Sequence, residues 1–132
     1  MTEEEWFEFI TFGRPPIVSI GRLEKTLCSI IGSATSLVQM RHDYAQKSLS
    51  KHGILPQHFQ IITWAIKRGI AYQDRASDLT FFWRDTYSGW FQVTIKSSKS
   101  GTELWLKTFH RSEESKVKAK LKSVKILRDF KS

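Results

Sequence analysis

The stretch LTFFWRDTYSGWFQVTIKSSKSGTELWLKTFHR, residues 79–111, decides the fold of this chain. Its apolar residues recur with a period of two in three segments rich in aromatic and β-branched residues, which is typical of strands. The three segments cover residues 79–84, 90–97 and 103–111. The connectors DTYSG and SKSG each combine turn-forming residues with a glycine and suit hairpin loops. The stretch therefore predicts a three-stranded antiparallel meander.

Upstream of residue 79 the apolar residues recur at helical spacing. The spacing predicts one helix over 20–31, a second over 36–51 and a third that begins at Pro56 and ends at Gly69. Helices that precede a meander in the sequence indicate an α+β domain. We expect the N-terminal helices to pack on the C-terminal antiparallel meander.

Two further segments flank this unit. Residues 1–16 are acidic and aromatic and end in GRPP, which interrupts regular structure. We interpret them as an N-terminal appendage that packs on the body, with docking of a partner as the alternative. Residues 17–132 then form a single domain with a basic C-terminal tail from about residue 112. The residues Ser-Glu-Glu-Ser at 112–115 suit a helix N-terminus, so we expect a basic C-terminal helix.

The chain is strongly basic, with 21 Lys and Arg against 13 Asp and Glu and a formal net charge of +8. A field of this sign attracts phosphate polymers. No apolar run approaches the roughly 20 residues that a membrane span requires, and the acidic start is unlike a signal peptide. We therefore expect a cytoplasmic protein with no membrane partner. The single cysteine, Cys28, lies in an apolar stretch and is predicted to be a buried core residue.

Motifs of several common catalytic classes are missing from the sequence. It contains no Gly-rich phosphate loop, no HExxH, no Cys/His cluster at zinc spacing and no GxSxG nucleophile elbow. Its acidic residues are scattered, whereas a two-metal nuclease needs several converging carboxylates. We expect neither a metal nor a cofactor.

The residue types that remain suit cleavage of RNA through its own 2′-hydroxyl. That reaction needs a base for the 2′ proton, an acid for the leaving 5′ oxygen and cations for the phosphorane charge, and His, Lys and Arg supply all three without a metal. The candidate catalytic residues are His42, Lys47, His52, Lys96, Thr108 and His110. The candidate nucleic-acid contacts are Arg41, Lys51, Lys107, Arg111, Lys116, Lys118, Lys120 and Lys122.

Within this set, His110 and one helical histidine, His42 or His52, are the expected acid and base. Lys47, Lys96 and Arg111 are expected on phosphate, and Thr108 is expected to orient the phosphate or the substrate hydroxyl. A regular hairpin places Lys96 on the opposite sheet face from Thr108 and His110. A bulge between them brings all three to one face, because a shift of one residue swaps faces.

Three stretches resemble the barnase–EndoU–colicin–RelE group of ribonucleases, with phage-encoded and polymorphic-toxin members the most similar. They are MRHDYAQKSLSKHG, FQIITWAIKRG and FQVTIKSSKSGTELWLKTFHRS, and together they cover about residues 36–112. The resemblance implies a metal-independent endoribonuclease of bacterial or phage origin. It also implies a fold in which helices pack on an antiparallel sheet. It matches the group's helical His and Lys positions to His42, Lys47 and His52, and its late-strand polar positions to Lys96, Thr108 and His110.

The resemblance also implies partners. Proteins of this group often act as toxins, attack tRNA or other cellular RNA, and are paired with an immunity protein or antitoxin. Two other functions fit the same sequence. One is a non-catalytic nucleic-acid-binding protein that stacks bases on aromatic side chains. The other is a phage-encoded protein-interaction or inhibitor module. The aromatic residues available for stacking are Trp83, Tyr87, Trp90 and Trp105.

Overall fold

A computed structural model describes residues 1–51 and 53–129. Its helices are α1 Glu3–Phe12, α2 Lys25–Ile30, α3 His42–Lys51, α4 Gln60–Arg68 and α5 Glu114–Ser123, with a 3₁₀ turn at Pro56–His58. Its strands are β1 Ile17–Arg22, β2 Leu37–Arg41, β3 Ile70–Arg75, β4 Asp78–Asp85, β5 Gly89–Ser97, β6 Leu104–Ser112 and β7 Ile126–Arg128. The predicted α+β class, with N-terminal helices on an antiparallel meander, is confirmed.

The strands form one seven-stranded sheet in the order β1-β2-β6-β5-β4-β3-β7. The predicted meander is β4, β5 and β6, and β3 extends it at one side. Every described neighbouring pair is antiparallel except β2 with β6, where Val38 lies opposite Leu104 and Gln39 opposite Trp105. This parallel pair joins the β1–β2 hairpin to the meander.

The two faces of the sheet are covered differently. Helices α1 to α4 pack on one face, the helical face, where the main core includes the fully buried Phe59, Phe81, Phe91 and Phe109. On the opposite face, the open face, α5 covers a smaller cluster through Val117. Because successive strand residues point to opposite faces, Phe81 joins the main core and Phe82 joins the cluster under α5.

The first segment packs on the body, as predicted. Thr2 and Glu5 form a capping box at the start of α1, and Gly13 ends the helix with a left-handed φ of 62°. Trp6, Phe9 and Ile10 are buried in the main core. These three side chains therefore stabilise the domain by burying apolar surface.

Two helix predictions are wrong in their first halves. Residues 20–22 belong to β1 and residues 37–41 form β2, so the predicted helices over 20–31 and 36–51 begin at Lys25 and His42 instead. In both strands the buried residues alternate with more exposed ones, and pairing with neighbouring strands overrides the helical spacing. The third helix is confirmed: the 3₁₀ turn at Pro56 leads into α4, which Gly69 follows.

In the described C-terminal segment, the helix covers only Glu114–Ser123. Helix α5 ends at Ser123, and the chain then forms β7 beside β3. Arg128 of β7 donates to the carbonyl oxygens of Ala65, Ile66 and Gly69 at the end of α4. The carbonyl oxygen of Ala65 also accepts the backbone N–H of Gly69, so Arg128 adds hydrogen bonds at the end of α4 and ties the segment after α5 to the helical layer.

Two simpler expectations concern the core and the membrane. Cys28 is a free thiol buried in the main core, as predicted. Across residues 1–51 and 53–129, no helix combines the length and the apolar character that crossing a bilayer requires.

Candidate functional site

A β-bulge in β6 determines which side chains reach the open face. Thr94 lies opposite Thr108, but the next residue of β5, Ile95, lies opposite Leu106, so Lys107 is an extra residue in β6. The bulge swaps the faces of the residues that follow it. Phe109 consequently packs in the main core, while Lys96, Thr108 and His110 share the open face. From the sequence we expected these three side chains to share a face only if a bulge was present, and the structure contains that bulge.

His110 lies on β6 opposite Gln92 of β5 and is partly exposed. Its Nδ1 is 2.9 Å from the backbone oxygen of Arg111. A carbonyl oxygen only accepts hydrogen bonds, so Nδ1 carries the proton, and in the neutral ring the lone pair lies on Nε2. The backbone thus orients the imidazole in the tautomer that a general base at Nε2 requires.

A cleft of about 510 Å³ lies between α5 and the open face of the sheet. His110, Gln92 and Tyr72 line it from the strands, and Lys116 and Lys120 line it from α5. The Lys120 ammonium lies 5.7 Å from the centre of the Tyr72 ring, within the range of a cation–π interaction. Two acidic residues, Asp74 and Glu113, also line the cleft.

A row of hydroxyl groups crosses four strands next to His110. Tyr72, Thr80, Thr94 and Thr108 lie opposite one another in register from β3 to β6. The hydroxyl oxygens of Thr80 and Thr94 are 2.9 Å apart. Burial raises the pKa of Tyr72, against the opposing effect of its hydrogen bond with Thr80, so the phenol stays protonated near neutral pH.

Thr108 ends this row two residues before His110 and on the same face. Its hydroxyl oxygen is buried and has no hydrogen-bond partner among the described residues. A buried hydroxyl of this kind normally finds a partner. The predicted site residue Thr108 therefore lies next to His110 with hydrogen-bonding capacity that the described part of the fold does not use.

The bulged residue Lys107 has a structural partner. Its ammonium is 2.7 Å from Oδ2 of Asp78, a carboxylate that is 1% exposed on β4. The lysine side chain reaches across β5 to make this contact. Asp78 needs a cation because burying an unpaired charge is costly. Lys107, predicted as a nucleic-acid contact, therefore also neutralises a buried acid within the fold.

A second group of predicted residues meets farther along β6. Trp105 lies opposite Lys96 of β5 and beside Gln39 of β2. The guanidinium of Arg41, the last residue of β2, lies 4.6 Å from the centre of the Trp105 ring. Arg41 and Lys96 are exposed and Trp105 is partly exposed. This group extends the basic surface of the open face beyond the cleft.

The other aromatic residues predicted for stacking differ in their surroundings. Trp83 packs against the main core and Trp90 against the cluster under α5. Tyr87, at the tip of the β4–β5 hairpin, is 96% exposed.

The helical candidates lie elsewhere. His42 starts α3, and its Nε2 is 3.1 Å from the backbone oxygen of Ile10 while its ring contacts Phe9, so it joins α3 to α1. These contacts are with the helical layer, and none of the described contacts of His42 is with His110. Lys47 and Lys51 are exposed on α3. His52 lies outside the described residues.

Helix α3 runs beside β6 without sharing the open face. The backbone N–H of Phe109 donates to the hydroxyl of Tyr44 at 2.7 Å, which satisfies a β6 donor. The Arg111 guanidinium lies 5.5 Å from the centre of the Phe91 ring and donates to the backbone oxygen of Ser88. Its charge therefore lies near the β4–β5 hairpin, while residue 111 also borders the cleft.

The four predicted lysines of α5 lie on different sides of the helix, and only two of them line the cleft. Lys116 and Lys120, one turn apart, line the cleft. Lys118 lies 3.5 Å from Glu114, and Lys118 and Lys122 are exposed outside the residues that line the cleft.

Sequence reasoning missed Tyr72 and Gln92. Gln92 follows from the strand alternation once its register with His110 is known. Tyr72 lies on β3, a strand that was not predicted.

Among residues 1–51 and 53–129, no group of three or more His, Cys, Asp or Glu side chains is arranged to hold a metal ion. Comparison of the chain with protein-family models, with curated proteins and with solved structures finds no match. The function must therefore be inferred from the geometry and chemistry of the site.

Proposed function

We propose that this chain is an endoribonuclease that cleaves RNA by attack of a 2′-hydroxyl on the adjacent phosphate. The proposal rests on one arrangement: an oriented imidazole, His110, faces Lys116 and Lys120 across a single cleft. Imidazole is the side chain suited to proton transfer near neutral pH. Two ammonium groups within reach of the same space suit a phosphate whose negative charge increases in the transition state.

In the proposed reaction, Nε2 of His110 takes the proton of the 2′-hydroxyl. The 2′ oxygen bonds to phosphorus, the bond from phosphorus to the 5′ oxygen breaks, and the 5′ oxygen takes a proton from the medium. The products are a 2′,3′-cyclic phosphate and a 5′-hydroxyl. Lys116 and Lys120 stabilise the phosphorane charge, and Gln92, which lines the cleft, offers hydrogen bonds to the substrate beside His110.

The resemblance to the barnase–EndoU–colicin–RelE group adds biological expectations to this proposal. They are a toxin that requires no metal ion, tRNA or other cellular RNA as the substrate, and an immunity protein or antitoxin as a partner. A cytoplasmic location, which the sequence led us to expect independently of the resemblance, is part of the same proposal.

The test is cleavage of total tRNA and of a long unstructured RNA by purified protein in the presence of EDTA. We expect 2′,3′-cyclic phosphate ends, and we expect His110→Gln to lower the rate by about 100-fold or more, the usual contribution of a general base. The matched control is His42→Gln, which changes a histidine that contacts α1 and should leave most of the cleavage activity.

Equal cleavage by the wild type and by folded His110→Gln would contradict the role of His110. Binding of RNA without cleavage by either protein would favour the non-catalytic nucleic-acid-binding function. Absence of both binding and cleavage would exclude RNA as the ligand.

A further inference from the structure

Part of the open face extends beyond the cleft. The strands β1, β2 and β6 present side chains there that are exposed or partly exposed, among them Ser19, Gln39 and Arg41. In a sheet covered on both faces, these positions would be apolar and buried. Their polarity and exposure indicate a surface that meets solvent or a polar ligand.

Trp105 is the aromatic residue at the centre of this surface. Its direct neighbours across the strands are Lys96 and Gln39, and the Arg41 guanidinium lies 4.6 Å from the centre of its ring. The adjacent residues Leu104 and Leu106 point to the helical face and are buried, so Trp105 is not needed to fill the main core. An aromatic ring beside two cations combines stacking with attraction to phosphate.

The charge of this region is positive. The carboxylate of Asp78 lies opposite Lys96 on the next strand, but it is buried and bonded to Lys107 at 2.7 Å. The charges of Arg41 and Lys96 are therefore not cancelled by that acid. A phosphate polymer is a complementary ligand for such a surface, whereas an acidic side chain would have opposed it.

The surface and one wall of the cleft lie along the same strand. Trp105 and His110 lie on β6 and on the same face, with the bulged residue Lys107 between them. At the rise of a strand, about 3.3 Å per residue, they are roughly 15 Å apart. A stacked nucleic-acid strand rises about 3.4 Å per nucleotide, so roughly four nucleotides connect the two positions.

We infer that Trp105, Arg41 and Lys96 form a second RNA subsite, which stacks an unpaired base and holds its phosphate several nucleotides away from the bond cleaved at His110. Bases within a duplex are stacked on their own neighbours, so this subsite selects single-stranded RNA. The inference rests on the proposed function, since it names the substrate class of the same site.

The binding experiment uses a fluorescein-labelled 12-nucleotide 2′-O-methyl RNA of mixed sequence, which cannot be cleaved through its 2′ oxygen. We expect Trp105→Leu to weaken its binding about tenfold, Arg41→Ala and Lys96→Ala to weaken it less, and Trp105→Phe to retain most of the affinity. The same oligonucleotide annealed to its complement should bind the wild type more weakly than the single strand does.

The matched control is Lys67→Ala, which removes an exposed charge from α4 on the helical side of the sheet and should leave binding unchanged. Circular dichroism and thermal unfolding identify any variant that fails to fold. Unchanged binding by folded Trp105→Leu, together with unchanged binding by Arg41→Ala, would overturn the subsite.

Cleavage assays separate this inference from the proposed function. With an unmodified 12-nucleotide RNA, Trp105→Leu should raise KM and leave kcat nearly unchanged, and with a trinucleotide it should change neither. If the wild type cleaves and Trp105→Leu matches it on both substrates, the subsite is wrong and the ribonuclease remains. If the wild type binds the probe through Trp105 but cleaves no RNA, the ribonuclease is wrong and the subsite remains.

Discussion

His58 is a histidine whose surroundings favour its neutral form. It lies in the 3₁₀ turn before α4, is 4% exposed, and its Nδ1 accepts the backbone N–H of Leu55 at 3.0 Å. Burial lowers the pKa of His58, the Arg111 charge lowers it further, and Asp85 acts in the opposite direction. The sequence indicated no particular role for this residue, because only the fold buries it against Phe91.

The lowered pKa makes stability depend on pH. Below the ordinary histidine pKa of about 6.5, the unfolded chain binds a proton that the folded protein does not bind. The free energy of unfolding should therefore fall as the pH decreases from about 7 through 6.5 towards the folded-state pKa, by at most about 1.4 kcal/mol per pH unit for this group.

Urea unfolding at a series of pH values measures this effect. In His58→Asn, which retains an acceptor for Leu55 but does not titrate, the dependence on pH between 7 and 5 should be weaker. Identical slopes for the two proteins would show that His58 does not contribute.

At the scale of elements, the bulge in β6 is held by the ion pair between Lys107 and Asp78. Lys107→Ala leaves a buried carboxylate without its cation, and we expect it to lower the free energy of unfolding by about 1–2 kcal/mol. The value is smaller than the roughly 3–5 kcal/mol for a fully buried pair, because the Lys107 side chain is 37% exposed. Chemical denaturation provides the measurement.

The double variant Asp78→Asn/Lys107→Met is the control for this pair. It removes both charges, so it should be more stable than Lys107→Ala. If the double variant is less stable than Lys107→Ala, the loss of stability in Lys107→Ala does not come from an unpaired Asp78 charge.

The meander was predictable because its three strands are long, alternate regularly and are separated by clear turns. Strands β1 and β2 were not predictable from spacing, since Leu23 and Leu27 of one segment and Met40 and Tyr44 of the other match a helical stripe. Strand β3 was missed because it is short and ends in the exposed residues Gln73, Asp74 and Arg75.

The site was predictable in part, for similar reasons. His110, Lys116 and Lys120 were identified by residue type, and the structure brings them together at one cleft. Their meeting depends on the return of α5 over the sheet, a tertiary contact that no local pattern encodes. Of the two helical histidines expected to pair with His110, His42 lies where α3 packs against α1, with none of its described contacts to His110, and His52 lies outside the described residues.

At the scale of the whole molecule, only some of the positive charges lie at the cleft. On α5, Lys116 and Lys120 line it. Each phosphate that a protein neutralises releases counterions, so binding of a single strand weakens with salt with a slope of about −0.7 per contact. Lys116→Ala/Lys120→Ala should therefore reduce the slope of log K against log salt by about 1.4, measured with the 2′-O-methyl probe.

The same helix supplies the comparison for this prediction. Lys118→Ala/Lys122→Ala removes the same charge from α5 but from positions that do not line the cleft. It should change the slope much less. Equal losses in the two double variants would show that RNA responds to the net charge and not to the cleft.

The parallel pairing of β2 with β6 also governs how the sheet is completed during folding. The β4–β5 and β5–β6 hairpins join neighbours in sequence and can form early. The pairing of β2 with β6, in which Val38 lies opposite Leu104, can form only after β6 has been synthesised. Contacts of such long sequence separation slow folding. While a ribosome is still adding β6, the edge of β2 has no partner strand and can pair with another chain. Nascent chains of this protein thus expose an unpaired strand edge in the interval between the synthesis of these two strands.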